Sequence, residues 1–216
     1  MFDNIDTLIF DMDGTLIDSM NIWHEIDKEF FENHGREFPS DLVKKLDGLS
    51  FDDTAYLFIN YYKFDYTKEE IQAIWHKMSY DHYKNTIPYK KGAEEFIKKA
   101  KEKGFKMGIA TSNSRDLVEA IDSRLHISDY ISVFITNDEV SNGKPAPDIY
   151  LKVAEVLNSK PENCLVFEDV PGGIRAGKAA GMKVVAVQDD LTAYLDDEKR
   201  ALSDYYIKDY NEIEIK

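Results

Sequence analysis

Leu8-Ile9-Phe10-Asp11-Met12-Asp13-Gly14-Thr15 is the stretch from which the rest of the chain can be placed. The short apolar run from Ile5 to Phe10, bounded by polar residues, predicts a buried strand. It ends in two aspartates two positions apart, and residues i and i+2 of a strand point the same way. Two carboxylates that close stay ionised together only with a cation between them; otherwise one keeps its proton. Gly14 lets the backbone turn where a side chain would obstruct it. Taken alone, the pair reads equally well as a solvated strand end in an acidic protein, so its neighbours must decide.

After Thr15, Asp18 or Ser19 is placed to cap a helix whose apolar residues Ile22, Trp23, Ile26 and Phe30 follow a 3.6-residue period, closed by Gly35 at C′. Pro39 introduces a short helix, about Ser40 to Leu46, broken at Gly48. Helical spacing resumes at Phe51, Ala55, Phe58 and Ile59, and again at Ile71, Ile74, Trp75 and Met78. Residues 19–86 thus predict a run of helices without a strand. They hold both tryptophans and about half the Phe and Tyr, and core packing is the expected role of most.

From Tyr89 the pattern alternates. A helix from Gly92 to Lys103 precedes the strand Met107–Ala110, which ends at Thr111-Ser112-Asn113. A helix from Asp116 to Leu125 leads to the strand Val133–Ile135, then to Gly143-Lys144-Pro145-Ala146-Pro147 and a helix to Leu157, with Pro147 in its first turn. Leu165–Phe167 forms a strand ending at Glu168-Asp169. A Gly172-Gly173 turn opens the helix Ile174–Ala180, stopped by Gly181; Val184–Val187 is a strand and Tyr205–Ile207 an edge strand. Strands alternating with helices imply right-handed crossovers and a parallel sheet covered on both faces. The expected fold is α/β: a Rossmann-like parallel sheet core, residues 1–18 and 87–216, with an inserted α-helical cap, residues 19–86, hinged near Leu16–Ser19 and Asn85–Lys91.

The chain has 216 residues, 43% apolar and 12% aromatic, enough for one good core and a smaller module. Its formal charge of −14 argues against nucleic acid or an anionic membrane surface as partner. A small anionic substrate stays open, because a local cation inverts the field within one pocket. The single cysteine, Cys164, opens an apolar run and reads as a small buried hydrophobe. No disulfide can form within the chain, Met1-Phe2-Asp3-Asn4 lacks a basic leader, and no apolar run approaches membrane-spanning length. A cytoplasmic location is expected. A monomer is plausible, since no heptad or large apolar stripe argues otherwise.

Ligands of open parallel sheets bind beyond the carboxyl ends of the strands. Four such ends carry polar groups here: Asp11 and Asp13; Thr111, Ser112 and Asn113; Lys144; Glu168 and Asp169. Thr111–Asn113 alone would suit helix capping, Lys144 an ordinary loop, and Glu168-Asp169 a helix N-terminus. Together they offer oxygens for a hard cation, a lysine point charge, and hydroxyl and amide donors. That set suits phosphoryl transfer, where a carboxylate nucleophile is a recognised route.

The whole set resembles the haloacid dehalogenase superfamily, in the branch with a helical cap after the first motif, which also contains β-phosphoglucomutases and phosphoglycolate phosphatase-like enzymes. Asp11-Met12-Asp13-Gly14-Thr15 resembles the first motif, Thr111 the second, Lys144 the third and Glu168-Asp169 the fourth, covering nearly the whole chain. The resemblance implies that Asp11 attacks phosphorus and holds Mg²⁺. It implies that Asp13 is the general acid and base, with its carbonyl on the metal. Thr111 and Lys144 then grip the phosphoryl oxygens, Ser112 and Asn113 line the same site, and Asp169 ligates Mg²⁺ with Glu168, directly or through water.

Within that resemblance Asp13 speaks against the metal-free dehalogenases. The absence of lysine between Leu46 and Tyr62 speaks against phosphonate hydrolases that form a Schiff base. Leu46-Asp47-Gly48-Leu49-Ser50 resembles the mutases' substrate-facing cap loop, but Phe51, Trp23 and Met78 stand where those mutases carry an arginine, a histidine and a lysine. Losing the cations for a second phosphate favours a substrate with one. The expected function is a Mg²⁺-dependent phosphatase of a small phosphorylated metabolite, with Trp23 and Phe51 toward the leaving group. A phosphosugar mutase and a non-catalytic regulatory protein on the same fold are the alternatives.

Overall fold

The computed structural model describes residues 1–46 and 51–215; the side chains of residues 43, 44 and 51 are outside the description. The chain divides into two compact units, Met1–Met20 with Ile87–Lys216, and Asn21–Thr86.

The larger unit is built on β1 (Thr7–Phe10), β2 (Lys106–Thr111), β3 (Val133–Thr136), β4 (Cys164–Glu168), β5 (Lys183–Val187) and β6 (Tyr205–Ile207). They form one sheet in the order β3-β2-β1-β4-β5-β6, and every pairing is parallel. β1 is central. Phe10 pairs with Ile109 on one side and Phe167 on the other, and all four residues of β1 are buried, as a strand covered on both faces requires. The strand order reverses between β1 and β4, the switch point at whose carboxyl edge open parallel sheets bind their ligands.

The smaller unit holds α1 (Ile22–Asn33), α2 (Leu42–Leu46), α3 (Phe51–Asn60) and α4 (Lys68–Asn85). Its centre is aromatic: the Phe30 ring meets Phe64 at 4.9 Å, Phe58 at 5.6 Å and Trp75 at 6.0 Å, mostly edge to face. The 3.6-residue stripe of α1 buries Ile22, Ile26 and Phe30, while Trp23 is 41% exposed. Thr67 and Glu70 close a reciprocal capping box on α4, a Thr-x-x-Glu pattern readable in the sequence. The expected break at Gly48 lies outside the described residues.

The sheet is flanked by α5 (Ala93–Glu102), α6 (Arg115–Leu125), α7 (Asp148–Val156), α8 (Pro171–Ala179) and α9 (Asp196–Leu202). Ile9, Ala110 and Val166 pack with Ile149, Tyr150 and Val153 of α7 and Ile174 of α8. Phe10 and Phe167 stack at 4.9 Å and meet Phe96 of α5; Tyr210 stacks on Phe167 at 5.6 Å. Two helix starts differ from the sequence expectation. α1 begins after Asn21, which makes no side-chain cap bond, so neither Asp18 nor Ser19 caps it. α8 begins at Pro171, so Gly172 and Gly173 lie in its first turn rather than in a preceding loop. Pro at N1 carries a helix-ready φ and lacks only an N–H that would go unpaired there.

Candidate active site

Asp11 follows β1 directly, and its backbone N–H donates to the Phe167 carbonyl at 2.9 Å, extending the ladder to the switch point. Its side chain is buried. The Lys144 ammonium donates to Asp11 Oδ1 at 2.5 Å, Glu168 Oε1 at 2.7 Å and the Ala110 carbonyl at 3.1 Å. An ammonium has three protons, and these acceptors account for all of them. Lys144 therefore joins the carboxyl ends of β1, β2 and β4.

Glu168 is held on both oxygens. Oε1 also accepts the Tyr150 hydroxyl at 2.9 Å, and Oε2 accepts the N–H groups of Asp169 and Val170 at 3.0 and 3.2 Å. A Cβ on Gly173 would fall 1.6 Å from Glu168 Oε1, so the first turn of α8 needs glycine to admit this carboxylate. Asp169 accepts the Thr15 hydroxyl on Oδ1 at 3.0 Å, while its buried Oδ2 has no hydrogen-bond partner among the described residues. Gly14, at φ 73°, leaves that oxygen room; a Cβ there would stand 2.3 Å from it.

Asp11, Glu168 and Asp169 each offer a carboxylate oxygen, all within 4.8 Å of one another. Burial pushes Asp11 up to about 7, with Lys144 opposing and the charges of Glu168 and Asp13 adding. Burial, then Glu168 and Asp11, also hold Asp169 well above the usual carboxylate range. Burial works against the Lys144 ammonium, but Asp11 and Glu168 outweigh it and hold its pKa well above normal. One ammonium does not neutralise this cluster. A buried carboxylate oxygen without a donor, beside raised carboxyl groups, fits a divalent cation that prefers oxygen.

Asp13 faces different partners. Ser19 donates to its Oδ1 at 2.7 Å and Asn113 Nδ2 to its Oδ2 at 2.6 Å, so both carboxylate oxygens are aimed. Ser19 is 2% exposed, and this bond explains why it does not serve as a helix cap. Between the two aspartates' loop and Ser19 the backbone is tied by Gly14 N–H to the Ile17 carbonyl and by Leu16 and Ile17 N–H to the Met12 carbonyl. Thr111 is buried at the end of β2 and its hydroxyl accepts the Asn113 N–H at 3.1 Å. Ser114, not Thr111–Asn113, occupies the N-cap of α6, so these three residues are spared for the strand end. Ser112 is exposed.

The larger unit thus gathers Asp11, Glu168, Asp169 and Lys144 around one point and ties Asp13 to Asn113, with Thr111 and Ser112 on the strand end beside them. Trp23 belongs to α1 of the smaller unit. Phe51 opens α3 there, and its side chain, like residues 47–50 of the expected substrate-facing loop, lies outside the description. Ser19, Thr15 and Tyr150 carry bonds that sequence reasoning did not assign. Ser19 and Thr15 stood close to the motif. Tyr150 gave no sign, since an aromatic on the buried stripe of a helix looks like core.

Comparison with known proteins agrees with this geometry. The family profile described as haloacid dehalogenase-like hydrolase matches residues 8–187. The chain is 31% identical over 180 residues to a phosphorylated carbohydrates phosphatase of Thermotoga maritima, covering 83% of each. It is 32% identical over 195 residues to the pyrophosphatase PpaX of Bacillus cereus strain B4264, covering 89% of this chain and 88% of that one. Among solved structures, a Thermotoga maritima protein provisionally assigned as a beta-phosphoglucomutase is 28% identical, with TM-score 0.83 over 94% of both chains. The chain belongs to the haloacid dehalogenase-like hydrolase family. Within it the class is that of the phosphatases, as the sequence led us to expect. No described helix is long and apolar enough to cross a membrane.

Proposed function

We propose that this chain is a Mg²⁺-dependent phosphatase of a small phosphorylated metabolite, with a phosphorylated carbohydrate as first candidate. The carrying observation is the pairing of a buried Asp11, held by Lys144 through Oδ1, with an Asp169 oxygen that has no donor among the described residues. Residues 1–18 and 87–216 serve as catalytic core and residues 19–86 as cap, with Trp23 and Phe51 toward the leaving group.

In this reading Asp11 attacks phosphorus through the oxygen that Lys144 does not hold, forming a carboxylate–phosphorus bond as the ester P–O bond breaks. Asp13, aimed by Ser19 and Asn113, gives its proton to the departing alkoxide. It then takes a proton from water as that water attacks the phosphoryl group, and free phosphate leaves with Asp11 restored. Lys144, exchanging one of its present acceptors, and Thr111 hold the phosphoryl oxygens, with Ser112 and Asn113 beside them. Asp11, Asp169 and the Asp13 carbonyl would hold Mg²⁺, with Glu168 at its edge; the ion supplies charge neutralisation of the transferring oxygens.

The test is phosphate release across sugar phosphates, phosphoglycolate, nucleotides and vitamin phosphates, with and without Mg²⁺. Turnover that needs Mg²⁺ and disappears in Asp11→Asn, with the fold retained, is expected. Substantial activity in clean Asp11→Asn sinks the covalent route. A mutase is the second reading, favoured by the likeness to the Thermotoga maritima structure.

A further inference from the structure

Tyr150 is fully buried on α7, and its two polar contacts both belong to the site. Its hydroxyl donates to Glu168 Oε1 at 2.9 Å, the same oxygen that accepts Lys144 Nζ at 2.7 Å. Its ring lies beneath the ammonium, whose nitrogen is 5.0 Å from the ring centroid. A packing aromatic would need neither contact, and phenylalanine would fill the volume.

Two carboxylates compete for Lys144: Asp11 at 2.5 Å and Glu168 at 2.7 Å. A hydroxyl hydrogen bond to Glu168 Oε1 spends part of that oxygen's negative charge and fixes where it lies. The aromatic face beneath adds attraction with no directional acceptor of its own, so the ammonium is supported without being turned away. The remaining oxygen of Glu168 is already fixed by two backbone N–H groups. Without the hydroxyl, Oε1 would keep its full charge for Lys144 and draw the ammonium back from Asp11.

We propose that Tyr150 is a positioning residue for Lys144, its hydroxyl restraining Glu168 and its ring supporting the ammonium so that Lys144 stays aimed at Asp11 and the transferring phosphoryl group. This rests on the phosphatase reading for the reaction, but not for the arrangement. Tyr150 acts through Lys144 and touches neither substrate nor metal.

The variant is Tyr150→Phe, which keeps the ring and deletes one hydroxyl. Inorganic phosphate binding to the Mg²⁺-saturated protein and Mg²⁺ binding alone are measured by calorimetry, beside kcat on the best monoester. Removing an outer partner of a site residue costs about 10- to 100-fold. We expect phosphate affinity and kcat to fall about tenfold and Mg²⁺ affinity to fall clearly less, because Tyr150 reaches the metal ligands only through Glu168, whose other oxygen two backbone N–H groups still hold. Phosphate affinity and kcat both within about twofold of wild type would overturn the proposal. Equal loss of phosphate and Mg²⁺ affinity, or a variant that does not fold, would also overturn it by reducing Tyr150 to packing. Should the wild type release phosphate from no monoester, the phosphatase reading fails, and the two binding measurements still decide the role of Tyr150.

Discussion

Asp11 and Asp13 stand two positions apart, yet their surroundings are opposite in kind. Asp11 is buried against an ammonium, whereas Asp13 is gripped on both oxygens by neutral donors. Ser19→Ala removes one of those donors, and a net hydrogen bond is worth about 0.5–1.5 kcal/mol. It should lower kcat by about 2- to 10-fold with KM nearly unchanged, measured in steady state. Asp13→Asn should go further, by roughly 10²–10⁴ on monoesters that need a protonated leaving group. It should still accept a phosphoryl group from an activated ester and then release it slowly; equal losses in both steps would leave Asp13 with no acid–base part.

The raised Asp11 pKa, about 7 through burial, also fixes a pH dependence. Its folded value lies above the unfolded one, so the stability it contributes is present below about pH 4 and is lost as pH climbs through 7. Metal-free protein should therefore melt at lower temperature at pH 8 than at pH 5. Mg²⁺ should restore the loss, because it binds the ionised form. A melting temperature independent of pH and of Mg²⁺ would contradict this account.

At the scale of elements, α8 shows how a site reaches into secondary structure. Glycines in the first turn of a helix disfavour it by propensity, but a Cβ on Gly173 would fall on the Glu168 carboxylate. Gly173→Ala should cost about 1–3 kcal/mol by overpacking, despite alanine's better helix propensity, and should weaken Mg²⁺ and phosphate binding together. Urea unfolding and calorimetry would read both. The strands were legible because β1, β2 and β4 are buried runs ending in polar residues. The two helix starts were not, for one common reason. Ser19 and Gly173 look like a cap and a turn locally, whereas each is committed to a carboxylate, Asp13 and Glu168 respectively. Side-chain bonds across the sheet leave no trace in local spacing, which is also why Tyr150 read as core.

At the scale of the molecule, the order of motifs, the parallel sheet and the helical insertion could be read from the alternation of texture along the chain. For substrate choice α1, α3 and α4 offered the sequence reading polarity alone: Trp23, Phe51 and Met78 where the mutases that the chain resembles carry cations. On the proposed phosphatase reading that polarity disfavours a mutase, since a distal phosphate needs a positive partner. Monophosphates should yield inorganic phosphate, with no significant interconversion of β-glucose 1-phosphate and glucose 6-phosphate in a coupled assay containing a bisphosphate activator. Phe51→Arg should tighten binding of bisphosphorylated ligands. Efficient interconversion with little phosphate release would reverse the assignment.

The bonds that complete the β1 loop come from far along the chain: Lys144 reaches Asp11 across 133 residues, Asp169 meets Thr15 across 154, and the Tyr210 hydroxyl donates to the Thr15 carbonyl across 195. During synthesis the acidic loop therefore leaves the ribosome well before the segments that complete it. The helices of residues 21–86, whose contacts are close in sequence, can consolidate while the loop still waits. A nascent chain that ends before Lys144 presents the two aspartates to solvent without their lysine, and one that ends before β4 still lacks the carboxylates that complete the cluster.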